Sequence, residues 1–155
     1  MQQPLTSYLT QQIETNYRAN HWYGFGLLVS LGKLTDAQWH QPFGHRTVAD
    51  IVGHLIAWRQ FAVARMEDRT DFGIELHSTT TDWPDCSGRS PVDLLNELEA
   101  SQTALLKSLE RLTDGELDLH FPKGYTYSKG NLALGVMQHD IYHTGQINLL
   151  VKLLG

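Results

Sequence analysis

The stretch Leu132-Ala133-Leu134-Gly135-Val136-Met137-Gln138-His139-Asp140-Ile141-Tyr142-His143-Thr144-Gly145-Gln146-Ile147-Asn148-Leu149-Leu150 decides the fold class. Leu132, Gly135, His139, His143, Gln146, Leu150 and, beyond it, Leu153 follow steps of three and four residues, the period of an α-helix with one buried face. No proline interrupts the run, so the spacing predicts a helix that starts between Ser128 and Asn131 and continues to the C-terminus. Both histidines fall within its apolar stripe. They interrupt the face that should be buried instead of decorating the wet one.

Three more segments carry the same period. The first runs from about Pro4 to Leu31 through Leu5, Leu9, Ile13, Tyr17, Leu27, Leu28 and Leu31, with Gly24 and Gly26 inside it as points of weakness. The second opens at Thr47-Val48-Ala49-Asp50, which has the spacing of a capping box, and continues through Ile51, Val52, Leu55, Trp58, Ala62 and Met66. The third opens at Ser90-Pro91-Val92-Asp93, where a cap, an N1 proline and an acidic first turn coincide, and its stripe is Leu95, Leu98, Leu105, Leu109 and Leu112. Strand signals are poor: the β-branched run Thr79-Thr80-Thr81 lies in a polar stretch without alternation. Four long helices with one long connection, from about Asp68 to Arg89, give an all-α four-helix bundle with a crossover loop between the second and third helices. Leu34-Thr35-Asp36 after the first segment is echoed by Leu112-Thr113-Asp114 after the third, as expected of two related hairpins.

Composition limits the rest. The 155 residues suit a single domain spanning 1–155, and 41% hydrophobic with 19% charged residues is ordinary for a globular chain. Twelve Lys and Arg against 17 Asp and Glu give a net charge of -5, so a phosphate-tracking nucleic-acid binder is not expected. One cysteine, Cys86, excludes a disulfide framework and a Cys-rich zinc site. Met1-Gln2-Gln3-Pro4 has neither a basic region nor an apolar run behind it. The longest uncharged stretch, Ala19 to Gly32, is too short to span a bilayer. No membrane partner and a cytoplasmic location are expected.

Histidine is the unusual count, at eight. His139 and His143 lie four residues apart, one helical turn, so both can reach one ion. On the second helix Ile51, His54, Trp58 and Phe61 keep the three-four rule, which turns His54 inward as well. An unpaired buried polar group costs about 1–3 kcal/mol, so three inward imidazoles need partners. A hydrogen-bonded polar core is one solution, and a shared divalent cation is the simpler one. His21, His40, His45, His77 and His120 lie in predicted loops or helix ends and receive no role.

At this point the chain resembles a known family. Gln138-His139-Asp140-Ile141-Tyr142-His143-Thr144-Gly145-Gln146-Ile147 resembles the last helix of the DinB/YfiT-like metalloproteins, and Val52-Gly53-His54-Leu55-Ile56-Ala57-Trp58 resembles the helix that supplies their first histidine. The resemblance implies a bundle with one divalent ion, nickel or zinc foremost and iron or manganese next, on His54, His139 and His143. It also implies a homodimer. Several such proteins act on small molecules as transferases or isomerases that use low-molecular-weight thiols such as bacillithiol, mycothiol or glutathione, which makes a metal-dependent thiol S-transferase the leading function. The alternatives are a non-catalytic bundle with a structural or sensing metal and, behind it, a metal-dependent hydrolase. His139 to His143 has zinc-peptidase spacing, but Asp140 is one methylene short of the usual glutamate and no further ligand follows. Glu-x-x-His pairs for a di-iron site are absent.

Several neighbours complete the reading. Gln146 is placed to orient a ligand or to bond a neighbouring helix. Gln102 interrupts the third stripe as a partner for a ligating imidazole or, more simply, as a partly exposed glutamine. Trp58 reads as core, Tyr142 as a residue facing a neighbouring helix or subunit, and Asp140 as a surface or dimer residue. Trp83 and Cys86 in the long loop, and Tyr125-Thr126-Tyr127, are the expected specificity elements.

Overall fold

The computed structural model describes residues 3–120 and 126–154. Four long helices form the bundle: α1 (Leu5–Arg18), α4 (Val48–Met66), α5 (Pro91–Glu110) and α6 (Lys129–Leu154). Two short helices, α2 (Leu27–Leu31) and α3 (Asp36–Trp39), and a 3-10 turn (Asp114–Asp118) fill the connections. No strand occurs among the described residues, only isolated bridges such as His21 to Gly24. No helix among them is long and apolar enough to cross a membrane.

Helix starts are fixed where the sequence places caps. Thr47 accepts from the Asp50 amide while Asp50 accepts from the Thr47 amide, a reciprocal box that begins α4. Ser90 caps α5 ahead of Pro91. Both copies of the Leu-Thr-Asp echo are turn starts: Thr35 opens α3 with Gln38, and Thr113 opens the 3-10 turn with Glu116. The second copy has a further duty. Asp114 accepts from the amides of Leu5 and Thr6, at 2.8 and 2.9 Å, and so caps α1, whose own N-cap is a proline without a side-chain acceptor.

The first segment is broken where the sequence suggests one run from Pro4 to Leu31. α1 ends at Arg18 and the chain folds back before α2. A Cβ at Gly26 would stand 2.1 Å from the Ala19 carbonyl oxygen, so the return passes too close for any side chain.

α1 packs on α5 and α6, and α4 packs on the same two helices, leaving α1 and α4 across the diagonal. The buried apolar residues fall into two clusters. One gathers Tyr17, Ile51, Leu55, Leu98 and Ile147, the other Ile13, Phe61, Leu105, Leu132 and Val136. Followed between these clusters, α1 and α6 run one way and α4 and α5 the other. Parallel α4 and α5 cannot be joined by a short turn. The connection, residues 67–90, must therefore return along the length of α4, which is the expected crossover.

Candidate metal centre

The crossover builds half of the site. On its return it lies directly against α4 at Gly53, where a Cβ would be 2.5 Å from Cys86 Sγ and 3.3 Å from Pro84 Cγ. That close seat delivers Asp82 and Trp83 to His54. Asp82 accepts from His54 Nδ1 through its carbonyl at 2.7 Å, and its carboxylate lies 3.0 Å from the same nitrogen. The carboxylate also accepts from Trp58 Nε1 at 2.9 Å and from the His77 amide at 2.7 Å. Trp83 stacks on the His54 ring at 3.8 Å, and the Arg46 guanidinium covers the indole at 4.3 Å.

α6 supplies the other half. His139 Nε2 is 3.0 Å from both His54 Nε2 and His143 Nε2. His143 Nδ1 is 2.7 Å from Gln146 Oε1, one turn on. A carbonyl oxygen only accepts, so His54 carries its proton on Nδ1, and the Gln146 oxygen sets the same tautomer in His143. Their Nε2 atoms are then bare lone pairs, both aimed at His139 Nε2. A proton on His139 could serve one of them and not both. A cation serves all three. Nitrogens at about 2.0–2.1 Å from one ion stand roughly 3 Å apart at right angles, which is the spacing of the two pairs that include His139, and all three ligand atoms lie within 4.8 Å of one another. Among the described residues the cluster that could hold an ion is His54, His139 and His143, with no fourth His, Cys, Asp or Glu in it.

Electrostatics agree. Burial pushes His139 down to about 3, helped by the charges that His143, His54 and Arg59 would carry. Burial lowers His143 to about 4, against the pull of its bond to Gln146. His54 is lowered by burial too, against its bonds to Asp82. All three are neutral near pH 7, the state in which imidazole binds metal.

A family model described as the DinB superfamily matches residues 26–147, a span that contains all three histidines. The chain belongs to the DinB superfamily. A solved DinB-like protein from Bacillus cereus ATCC 10987 has the same fold, with a TM-score of 0.68 at 20% identity over 100% of this chain and 95% of that one. No curated protein matches it.

Within this DinB-superfamily bundle the neighbours read from sequence divide. Gln146 bonds His143 of the three-histidine cluster within its own helix. Gln102 is fully buried and touches none of the three: it accepts from Arg59 Nε at 3.3 Å and donates to Glu14 at 3.0 Å. Asp140 is not a surface residue. It is 1% exposed and paired at 2.6 Å with Arg59, itself fully buried. Tyr142 is 63% exposed, and its ring edges His143. Trp58 is half-buried, with its ring edge-on to His139 at 5.7 Å. Cys86 is buried beside Gly53, and burial raises its thiol pKa. Trp83 proves to be a wall of the site, and Tyr125 lies outside the described residues. The sequence reading missed Asp82, Arg46 and the Arg59–Asp140 pair. A loop aspartate in a Thr-Asp-Trp context offered the only hint.

Proposed function

We propose that this DinB-superfamily protein holds one divalent metal ion on His54, His139 and His143 and is an enzyme, with transfer of a low-molecular-weight thiol as the leading reaction. The observation that supports it is the convergence of three Nε2 atoms whose opposite nitrogens, in His54 and His143, are tied to Asp82 and Gln146. A divalent ion there would supply Lewis acidity, which lowers the pKa of a thiol or a water. The chain's own residues do the rest. Asp82 and Gln146 fix two tautomers and ring orientations, and Trp83 shields the face of His54 from solvent. Three neutral ligands leave the charge of the ion uncompensated, and the lack of a fourth protein donor among the described residues favours a reactive centre over a structural one. Nickel and zinc are the proposed metals.

The test is metal content by mass spectrometry on tag-free wild type and on His54→Ala, His139→Ala and His143→Ala. About one ion per chain, lost in each folded variant, is expected, followed by turnover in a thiol-transfer screen. No metal after reconstitution would sink the proposal, and a metal with no thiol chemistry would return the protein to the sensing or structural alternative. We also propose a homodimer that uses the outer face of α6, where Leu134, Ile141, Tyr142, Leu149 and Leu153 are exposed. Sedimentation at two protein concentrations checks it.

A further inference from the structure

An apolar cleft leads to the histidine cluster. Its outer part has a volume of about 450 Å³ and is lined by Ile74 and Leu76 of the crossover together with Trp58, Tyr127 and Leu132. Its inner part, about 210 Å³, is bounded by Trp58, Leu132, Gly135, Val136 and His139. Trp58, Leu132 and Gly135 belong to both, so the two parts adjoin. Of the three imidazoles, His139 is the partly exposed one, and it is the one the cleft reaches. No lysine, arginine, aspartate or glutamate lines either part among the described residues. Gly135 lies on the cleft floor, and a Cβ there would meet no atom within 4 Å. The missing side chain is cleft volume.

Resting on the metal reading above, we propose that the cleft binds a neutral, mainly apolar small molecule carrying one terminal donor atom, with its body between Trp58 and Gly135 and its donor at the histidine cluster. Charge complementarity carries the choice. A carboxylate-bearing thiol would shed its hydration in this cleft and find no counter-charge among its described walls, whereas an aromatic or alkyl body gains from the burial that the same walls offer. The volumes suit a molecule of drug-like or smaller size.

Two titrations separate this from the metal reading. Metal-free protein is titrated with N-phenyl-1-naphthylamine, a neutral fluorophore that needs no ion. One saturable site is expected, weakened at least tenfold by Gly135→Leu, a change that fills the cleft while improving helix propensity. Leu76→Asp, at an exposed rim position, should weaken it as well. Cobalt-loaded protein is then titrated with 2-phenylethanethiol and with mercaptosuccinate, reading the thiolate-to-cobalt absorption band. Half-saturation by the phenyl thiol at a concentration at least tenfold lower is expected, with the preference lost in Gly135→Leu. No naphthylamine binding, equal binding by Gly135→Leu, or a preference for mercaptosuccinate would overturn the proposal. Naphthylamine binding that Gly135→Leu blocks, in a protein that takes up no cobalt, would support the apolar cleft and overturn the metal reading instead.

Discussion

Three imidazoles held neutral inside a bundle carry a definite pH signature. In an unfolded chain each titrates near 6.5. In the folded protein burial takes His139 to about 3, His143 to about 4, and His54 downward as well. Below pH 6.5 the unfolded chain therefore binds more protons than the folded one, and stability falls as pH falls, by up to about 1.4 kcal/mol per pH unit for each group. Asp140, raised by burial against the pull of Arg59, opposes this by at most one proton. In chelator-treated protein the urea midpoint should hold from pH 8 to 7, then drop steadily between pH 6.5 and 5. The slope should shrink in His139→Gln. A flat profile through that window would mean that the cluster is not buried neutral in solution.

Element by element, the crossover rather than either histidine-bearing helix is the part whose placement is most demanding. It sits on α4 because position 53 has no side chain. Gly53→Ala places a methyl 2.5 Å from Cys86 Sγ, an overpacking that should cost about 1–3 kcal/mol despite the better helix propensity of alanine. In a Cys86→Ala background the same substitution meets no sulfur, and the cost should fall to near zero or reverse. Urea unfolding of the four proteins of this cycle measures the coupling, and additive costs would contradict the packing of the loop on the helix. The helices themselves were legible in the sequence because caps and period agree: Thr47, Ser90 and the stripe through His139 and His143 as far as Leu150 mark true starts and faces, whereas Leu153, which continues the same period, is exposed. Asp82 was not, since its bond to His54 runs through a backbone carbonyl that any residue possesses. The fold-back after α1 was half-legible, with Gly24 and Gly26 visible but the contact with Ala19 invisible.

Across the whole molecule the core is divided. His54, Arg59, Gln102, His139, Asp140 and His143 form a polar layer at mid-height, between the apolar cluster around Tyr17 and Leu55 and the one around Ile13 and Phe61. Part of this layer was hidden from sequence reasoning for a geometric reason. α4 is buried on nearly every face, and α6 packs on α1, α2 and α4, so a single-stripe reading sends Arg59 and Asp140 to solvent when both point to another helix. The pair is a specificity device more than a source of stability, because desolvating two charges offsets most of their attraction. Arg59 donates to Asp140 at 2.6 Å, to Leu55 O at 3.2 Å and to Gln102 at 3.3 Å, so the guanidinium is well partnered only while Asp140 is ionised beside it. Asp140→Asn strands that charge in the core and should cost about 3–5 kcal/mol, read as a lower urea midpoint in chelated protein. Arg59→Met combined with Asp140→Leu removes both charges and should recover most of the loss, while keeping the three histidines. If Asp140→Asn were instead as stable as wild type, the carboxyl would be protonated in the native state and the layer would be held by neutral hydrogen bonds. The double variant would then gain nothing over the single one.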